Sequence, residues 1–297
     1  MTTDNKIAVI GAGQMGLGIA HGFVAAGCPV VMVDVSQAAL DGARASIAKI
    51  LSDGVRLGKM AQDAADAALG QLSASQSVAE AVKGAALVIE TASENLTVKL
   101  DIMRTADENA PEDAILATNT SALSITEIAT AAARPERVVG MHFFNPVHKM
   151  KLVEIIRGLA TSDDVVAATR KWSDVIGKTS IVVNEAPGFT TSRISAMLGN
   201  EAMWMLSEGV ATAEDIDTSL RLAFNHPMGP LELGDLTGWD TRLAVLKHLH
   251  QTLGEKFRPC PLILKMVKAG RYGRKVGHGV YRYDDGQKVP GSGLRAH

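Results

Sequence analysis

The sequence predicts an α/β Rossmann-type dinucleotide-binding domain followed by an all-helical C-terminal domain. Between residues 6 and 34, a strand, a glycine-rich turn, a helix and a second strand follow one another, and strand and helix patterns alternate up to residue 184. From residue 185 onward only helical patterns recur. We therefore expect two domains, a cofactor-binding domain over 1–184 and a helical substrate and dimerisation domain over 185–297.

Composition and charge indicate a soluble protein of the cytoplasm. Of the 297 residues, 46% are hydrophobic and 21% are charged, which is typical of a globular chain with a substantial core. The formal charge of −2 and the lack of basic runs interleaved with aromatic residues argue against nucleic-acid binding. The N-terminus lacks a secretory pattern, and no apolar stretch is long enough to span a bilayer. Cys28 and Cys260 stand outside any paired motif and predict buried thiols in a reducing compartment.

The first strand leads directly into a phosphate-binding turn. Residues 6–10 form an apolar run that fits a buried parallel strand. Gly11 then allows a tight turn, Gly13 lets the backbone approach a pyrophosphate, and Gly16 lets helix and strand pack closely. The N–H groups at the start of the following helix favour an anion. With a strand on each side, a mere glycine-rich turn becomes an improbable interpretation.

Asp34, at the end of the second strand, predicts the cofactor. A carboxylate at this place accepts hydrogen bonds from the adenosine ribose and repels a 2′-phosphate. The next residues, Val35-Ser36-Gln37, include no arginine to hold such a phosphate. NAD is therefore favoured over NADP. The alternative, that Asp34 caps the following helix, is better filled by Ser36.

The segment 54–68 is longer than a bare crossover requires. It carries Arg56 and Lys59 among helix-forming residues. One interpretation is a helical arm that projects from the sheet and offers cations to a phosphorylated ligand. The other, a solvated helix face, has equal support from the sequence.

Polar residues follow two further core strands, which we place at 86–90 and 114–117. Glu94 and Lys99 come after the first and are candidates to touch the nicotinamide half of the cofactor, because ligands bind at the carboxyl ends of parallel strands. Alternatively, they form a weak surface ion pair. The second strand is followed by small polar residues that end at Ser121. Since Ser124 is expected to cap a helix with Glu127, Ser121 is left for another task.

His142 and Glu154 form the candidate catalytic pair. His142 lies in an apolar segment just before the turn Asn145-Pro146, and Glu154 lies within the apolar run 152–156. A strand–turn–strand arrangement can bring the two side chains together. A carboxylate held against an imidazole fixes the tautomer and raises the basicity of the ring, as a general base at neutral pH requires. The alternative is a core histidine bonded to a backbone carbonyl.

These motifs together resemble the 3-hydroxyacyl-CoA dehydrogenase family over nearly the whole chain. They occur in the family's order. The matching segments are Gly11-x-Gly-x-x-Gly16, Glu94-Asn95-Leu96-x-Val98-Lys99, Asn119-Thr120-Ser121, His142-Phe-Phe-Asn145-Pro146, Pro187-Gly-Phe189, His226-Pro-Met-Gly-Pro-Leu-Glu-Leu233 and Gly273-Arg-Lys-x-Gly277-x-Gly-x-Tyr281.

The resemblance implies oxidation of an (S)-3-hydroxyacyl-CoA to the 3-ketoacyl-CoA, with NAD as hydride acceptor. It implies that His142 removes the hydroxyl proton, that Glu154 orients His142, and that Ser121 donates a hydrogen bond to the reacting oxygen. Arg56 and Lys59 are candidates to meet the coenzyme A. The cofactor-binding residues that it implies are Gly11, Gly13, Gln14, Met15, Gly16, Asp34, Glu94, Lys99, Ser121, Asn145 and Lys275.

One position departs from the family pattern. The family has an asparagine five residues after the proline of its Pro-Gly-Phe motif, where it helps to polarise the substrate, and this chain has Ser192 there. A hydroxyl still donates one hydrogen bond, although over a shorter reach than an amide. The substitution bears on which substrate is accepted more than on the reaction class.

In the second half, a methionine-rich helix beginning after Gly188 indicates either core packing or a homodimer interface. His226, which Pro227 and Pro230 follow, is more consistent with a structural wall than with a second base. The histidines and cysteines show no metal-ligand pattern, so no metal is expected. Two other functions stay open: a related dehydrogenase acting on a free hydroxy or sugar acid without coenzyme A, and a catalytically silent NAD-binding relative.

Overall fold

A computed structural model describes residues 5–295 of the chain. Residues 1–4, part of the N-terminal segment that lacks a secretory pattern, lie outside this range. The chain divides into two compact units, one ending at Ala186 and the other beginning at Pro187. Among the described residues, no helix is both long enough and apolar enough to cross a membrane.

The first unit is built on one sheet. Its strands are β1 (Lys6–Ile10), β2 (Val30–Val33), β3 (Leu72–Ser75), β4 (Ala85–Glu90), β5 (Ile115–Thr118), β6 (Val138–Phe143), β7 (Leu152–Arg157) and β8 (Thr179–Asn184). Their order within the described chain is β3-β2-β1-β4-β5-β6-β7-β8. All neighbours run parallel except β6 and β7, which are antiparallel. The winding reverses between β1 and β4, where ligands bind in sheets of this kind.

Helices accompany these strands. They are α1 (Gln14–Ala25), α2 (Gln37–Arg56), α3 (Gln62–Gly70), α4 (Val78–Val82), α5 (Leu96–Asn109), α6 (Ile125–Ala129) and α7 (Asp163–Val175). The core joins strand residues such as Val9 and Ile89 to helix residues such as Phe23 and Trp172, all inaccessible to solvent. Burial of both sheet faces explains why the strands are apolar runs and do not alternate with polar residues.

Two elements of the first unit were missed in the sequence. These are β3 and α4, which lie between residues 72 and 82. β3 contains two serines, and of its four residues only Leu72 is buried, because β3 is the edge strand of the sheet. An edge strand buried on so little of its surface lacks the apolar run by which we identified the other strands.

The segment 54–68 is helical, and part of it packs on the first unit. α2 continues through Gly54 to Arg56, and α3 follows after a short turn. Ala65 and Ala68 of α3 are buried in the main core. The segment is therefore anchored along α3, and the turn between the two helices is its exposed part.

The second unit is helical, with a short hairpin near its end. The helices are α8 (Thr191–Ser207), α9 (Ala213–Ala223), α10 (Pro230–Thr237), α11 (Trp239–Leu253) and α12 (Pro261–Lys268), and the hairpin pairs β9 (Tyr283–Asp284) with β10 (Gln287–Lys288). Thr212 caps α9 by accepting a hydrogen bond from the Asp215 amide. The helices enclose a second core around Trp239, Leu246 and Phe257.

Two buried carboxylates fasten the last segment of this unit to α10. Asp235 accepts hydrogen bonds from the amides of Val280 (2.7 Å) and Tyr281 (2.8 Å). Asp217 accepts from the Leu231 amide at 2.8 Å and from the Tyr281 hydroxyl, also at 2.8 Å. Burial raises the pKa of both carboxyl groups above the ordinary value for aspartate.

Candidate active site

The glycine turn at the carboxyl end of β1 has no room for larger side chains. Gly11 has φ of +104°, and a Cβ there would come within 2.9 Å of the Thr91 carbonyl oxygen. A Cβ on Gly16 would lie 1.8 Å from the Gly11 carbonyl oxygen. Both glycines are therefore required by the close approach of helix and strands.

The start of α1 is suited to an anion. Gly13 is the N-cap residue, no side chain caps the helix there, and a Cβ at Gly13 would meet open space among the described residues. Gln14 is exposed and Met15 half-buried in the first turn, which carries no acidic side chain. The N–H groups of this turn and the positive end of the helix dipole fit the pyrophosphate of a dinucleotide.

Asp34 ties the second strand to this turn. Its Oδ2 accepts a hydrogen bond from the Ala12 amide at 2.9 Å, and its Oδ1 accepts from the Ser36 amide at 3.0 Å. Ser36, as predicted, caps α2. The half-buried carboxylate thus stands beside the glycine turn with lone pairs left for a hydroxyl donor, while Val35 next to it is 90% exposed.

His142 and Glu154 are direct cross-strand neighbours. They occupy opposite positions of the antiparallel β6–β7 pair, and Nδ1 of His142 lies 2.7 Å from Oε2 of Glu154. Glu154 is fully buried, and the His142 side chain is 9% exposed. The ring of Phe144 packs beside the imidazole, with 4.6 Å between centroids. The carboxylate favours the tautomer with hydrogen on Nδ1, which makes Nε2 the basic nitrogen.

The loop that follows His142 is held at several points. The Phe143 amide donates to Oδ1 of Asn119 at 2.9 Å, and the peptide bond between Asn145 and Pro146 is cis. Lys178 donates to the carbonyl oxygens of Val147 and Met150, both at 2.7 Å. Asn145 is exposed at the start of the loop.

Glu94 organises the loop that carries Ser121. Its Oε1 accepts from the Thr120 hydroxyl at 2.6 Å, the Ser121 amide at 2.9 Å and the Ala122 amide at 3.1 Å. The Ser121 hydroxyl also donates to this oxygen, at 3.3 Å. We expected this hydroxyl to be left for another task, but it has a partner here, and it must turn from Glu94 to meet a substrate.

Lys99 is buried between Glu90 and Glu94. Its side chain is only 1% exposed, and Nζ donates to both carboxylate oxygens of Glu90 at 2.9 Å. Nζ also lies 3.5 Å from Oε2 of Glu94, so Glu94 and Lys99 do pair as the alternative expected, but the pair is not a surface contact because Lys99 is buried. Glu90 ends an apolar strand, which would have been a signal for a buried acid in need of a cation.

Arg56 and Lys59 lie on the exposed part of the segment between α2 and α3. The Arg56 guanidinium pairs with Asp53 on its own helix at 2.9 Å, with both side chains largely exposed. An exposed pair of this kind is weak, so the Arg56 guanidinium can easily leave Asp53 and pair with another anion. Lys59 is exposed next to His148, whose pKa is lowered first by desolvation and then by cations that include Lys59.

The second unit carries the two remaining candidates. Ser192 is half-buried in the first turn of α8. Lys275 donates to Oδ2 of Asp240 at 2.7 Å, and its Nζ lies 5.5 Å from the centroid of the Tyr272 ring. The sequence did not single out Asp240, because its pairing with Lys275 joins positions 35 residues apart.

Models of two protein domains match the chain almost end to end. The NAD-binding domain of 3-hydroxyacyl-CoA dehydrogenase matches residues 6–186, and the C-terminal domain of 3-hydroxyacyl-CoA dehydrogenase matches residues 188–283. A probable 3-hydroxybutyryl-CoA dehydrogenase of Bacillus subtilis is 45% identical over 281 residues, which cover 94% of this chain and 98% of the relative.

Solved structures agree with these matches. The (S)-3-hydroxybutyryl-CoA dehydrogenase PaaH1 of Ralstonia eutropha superposes with a TM-score of 0.91 at 42% identity, covering 95% of this chain and 99% of that one. FHMPC 5-dehydrogenase, described as an NAD+ dependent dismutase, superposes with a TM-score of 0.76 at 33% identity, covering 96% and 92%. The second protein is named for a pyridine carboxylic acid and not for a thioester of coenzyme A.

Proposed function

Because this chain belongs to the 3-hydroxyacyl-CoA dehydrogenase family, we propose that it oxidises (S)-3-hydroxyacyl-CoA thioesters reversibly to 3-ketoacyl-CoA, with His142 as general base. The observation that carries the proposal is the 2.7 Å contact between His142 Nδ1 and Glu154 Oε2 across paired strands. A histidine with a buried carboxylate partner is an arrangement suited to the removal of a hydroxyl proton.

His142 takes the proton at Nε2. As the O–H bond breaks toward the base, the oxygen gains alkoxide character, and its electron pair forms the carbonyl as the hydride leaves C3, so a base in contact with the hydroxyl lowers the barrier. Glu154 then stabilises the imidazolium through Nδ1, and the surrounding Phe144 ring limits the access of water. When bound, NAD accepts the hydride.

Ser121 and Ser192 are the proposed donors to the substrate oxygen. Glu94 holds the backbone of the Ser121 loop by hydrogen bonds from two amides, so only the Ser121 hydroxyl has to turn from Glu94 toward the substrate oxygen. Ser192 replaces the family asparagine with a shorter donor. Asn145 is proposed to contact the cofactor or the substrate carbonyl from the loop after His142.

We propose that NAD is bound by several of the chain's own groups. The glycine turn and first turn of α1 meet the pyrophosphate, and Asp34 meets the adenosine ribose. Glu94 is proposed to face the nicotinamide half, with Lys99 acting on it from behind. Lys275, held by Asp240, is the proposed contact from the helical domain.

Arg56 and Lys59 are proposed to meet the phosphates of coenzyme A. Both are exposed, and the intrahelical partner of Arg56 holds it only weakly. Since the whole chain carries a net charge of −2, the phosphates depend on local cations of this kind.

Initial rates test the function and the role of coenzyme A together. We would measure NAD reduction with (S)-3-hydroxyacyl-CoA thioesters of increasing chain length and with the matching pantetheine thioesters, which lack the coenzyme A phosphates. We expect turnover of the coenzyme A thioesters and a higher KM for the pantetheine thioesters. The double variant Arg56→Ala/Lys59→Ala should raise KM only for the coenzyme A thioesters. Absence of NAD reduction with every thioester would contradict the proposal.

A dehydrogenase acting on a free acid is the second candidate, favoured by the structural likeness to FHMPC 5-dehydrogenase at 33% identity. Turnover of a free 3-hydroxy acid with an efficiency equal to that of its thioester would favour this candidate. Competition by free coenzyme A would argue against it.

We further propose a homodimer formed through the helical domain. Ile194 and Leu198 of α8 are 58% and 39% exposed, and with Met228 and Leu233 they line a pocket of about 380 Å³. Exposed apolar side chains grouped in this way are typical of subunit interfaces. Sedimentation of Ile194→Asp/Leu198→Asp should show monomers, whereas Leu159→Asp, at an exposed site in the first unit, should leave the wild-type mass. A wild-type monomer would exclude the dimer.

A further inference from the structure

Glu90 lies at the junction of two loops that follow neighbouring strands. It is the last residue of β4 and stands opposite Thr118, the last residue of β5. Its Oε1 accepts from the Ala92 amide at 2.6 Å, in the loop after β4, and its Oε2 accepts from the Thr118 hydroxyl at 2.6 Å. The carboxylate therefore ties together the loop that carries Glu94 and the loop that carries Ser121.

The same carboxylate anchors Lys99. Nζ of Lys99 is 2.9 Å from both oxygens of Glu90 and 3.5 Å from Oε2 of Glu94. The contact with Glu90 is thus the close one, and both of its members are 1% exposed. Glu94 is the exposed member, with 40% of its side chain accessible. Glu90 holds the ammonium in the interior, and the ammonium also attracts the carboxylate of Glu94.

Glu94 passes this restraint on to Ser121. Its Oε2 faces Lys99, while its Oε1 accepts from the amides of Ser121 and Ala122 and from the Ser121 hydroxyl. Two carboxylates and one ammonium leave a single negative charge. Glu90 is buried and bonded to the ammonium, which neutralises its charge. The net negative charge therefore lies on the exposed Glu94, where it strengthens the hydrogen bonds from the amide donors.

We propose that Glu90 is a positioning residue that acts through Lys99 and Glu94 to hold Ser121 in its place for the reaction. The inference rests on the proposed function, in which Ser121 donates to the substrate oxygen. Glu90 itself is inaccessible to any ligand, since only 1% of its side chain is exposed.

The first test follows the loop directly and needs no substrate. We would measure amide hydrogen exchange of residues 118–123 in the unliganded protein with Glu90→Gln. The amides of Ser121 and Ala122 should exchange about tenfold faster, because Glu94 no longer holds them as often. The matched control is Asp107→Asn. Asp107 is another buried carboxylate of the first unit, bonded to Arg134 and the Ala133 amide, and its change should leave this loop unaltered.

The second test is a double-mutant cycle on turnover of (S)-3-hydroxybutyryl-CoA. Glu90→Gln should lower kcat about tenfold in the wild-type background and less than about twofold in the Ser121→Ala background, because the hydroxyl that it positions is then missing. A merely structural role would lower kcat equally in both. An equal loss in the two backgrounds, or unchanged exchange of the Ser121 amide, overturns the inference.

Removing one partner of a buried ion pair leaves an unpaired charge that can prevent folding. Should Glu90→Gln fail to fold, Glu90→Gln/Lys99→Met carries both tests, because it leaves no charge in the interior while still releasing Glu94. A wild-type enzyme without turnover would overturn the proposed function, whereas the exchange measurement would still decide whether Glu90 positions the loop.

Discussion

Val147, in the loop after β6, lies directly against Gly18 on the helix that begins at the glycine turn. A Cβ on Gly18 would come within 2.8 Å of the Val147 Cβ, and Val147 is only 2% exposed. The helix that begins at the glycine turn therefore also supports the loop that carries Asn145.

Gly18→Ala should disturb this loop and leave the glycine turn intact. We expect kcat to fall several-fold and the free energy of unfolding to drop by about 1–3 kcal/mol, because the close contact forces Val147 outward. Gly18→Ala/Val147→Gly should recover kcat, because glycine at 147 removes the Cβ that the new side chain would meet. Gly22→Ala on the same helix is the control, since its Cβ would lie 3.9 Å from Ile176, an ordinary contact. Unchanged kcat in Gly18→Ala would show that the loop position does not matter.

His142→Gln should remove most turnover and keep NAD binding. Loss of a general base costs about 10²–10⁴-fold in kcat, and the glycine turn is untouched by the change. Stopped-flow turnover and fluorescence titration with NADH measure the two properties separately. His148→Gln, on the exposed part of the following loop, serves as the control and should retain turnover. Full activity of His142→Gln would reduce His142 to a core residue.

Asp34 should exclude NADP. A 2′-phosphate placed beside this carboxylate suffers like-charge repulsion of several kcal/mol, so kcat/KM for NADP should be lower than for NAD by about 10²-fold or more. Asp34→Ala/Val35→Arg should narrow this ratio. Asp34→Ala alone should weaken NAD as well, because the carboxylate also holds the Ala12 amide. Comparable efficiencies of the wild-type enzyme with NAD and NADP would refute the role of Asp34.

Ser192 should affect chemistry more than folding. We expect Ser192→Ala to lower the rate of hydride transfer by about tenfold, less than the 10²–10³-fold seen for a preorganised amide donor, and Ser192→Asn to raise activity on short thioesters. Ser195→Ala, three residues along the same helix, removes a hydroxyl that Arg242 contacts at 2.8 Å and should change the melting temperature instead. Identical rates for wild type, Ser192→Ala and Ser192→Asn would place Ser192 outside the site.

His21 should make folding weaker in mild acid. Desolvation, followed by the nearby His148 and Lys178, lowers the pKa of His21 from 6.5 to about 4. The unfolded chain therefore binds a proton that the folded chain rejects. The stability present above pH 6.5 is lost as the pH falls toward 4, by about 1 kcal/mol between pH 7 and 5.5. Urea unfolding at these two pH values should show the loss in the wild type and a smaller one in His21→Gln. An equal loss of unfolding free energy in the wild type and in His21→Gln would contradict this prediction.

The sequence alone determined the elements that depend only on residues close to one another in the chain. The glycine turn needs residues without side chains where helix and strands approach closely. Its role can therefore be predicted from Gly11–Gly16 without knowledge of the rest of the fold. Helix caps such as Ser36 and Thr212 bond to residues only three positions away, and the cap expected at Ser36 was confirmed. The apolar runs identified the buried strands because both faces of the sheet are covered.

Tertiary structure decided the contacts that join distant positions. The pairing of His142 with Glu154 was expected from a strand–turn–strand pattern, but its register is a property of β6 and β7 together. Nothing local to Lys99 reveals that it is buried against Glu90, or that Glu94 turns toward Ser121 across 27 residues. Charges settle where long-range packing leaves them partners in a dry interior, and a single sequence records their presence without recording that geometry.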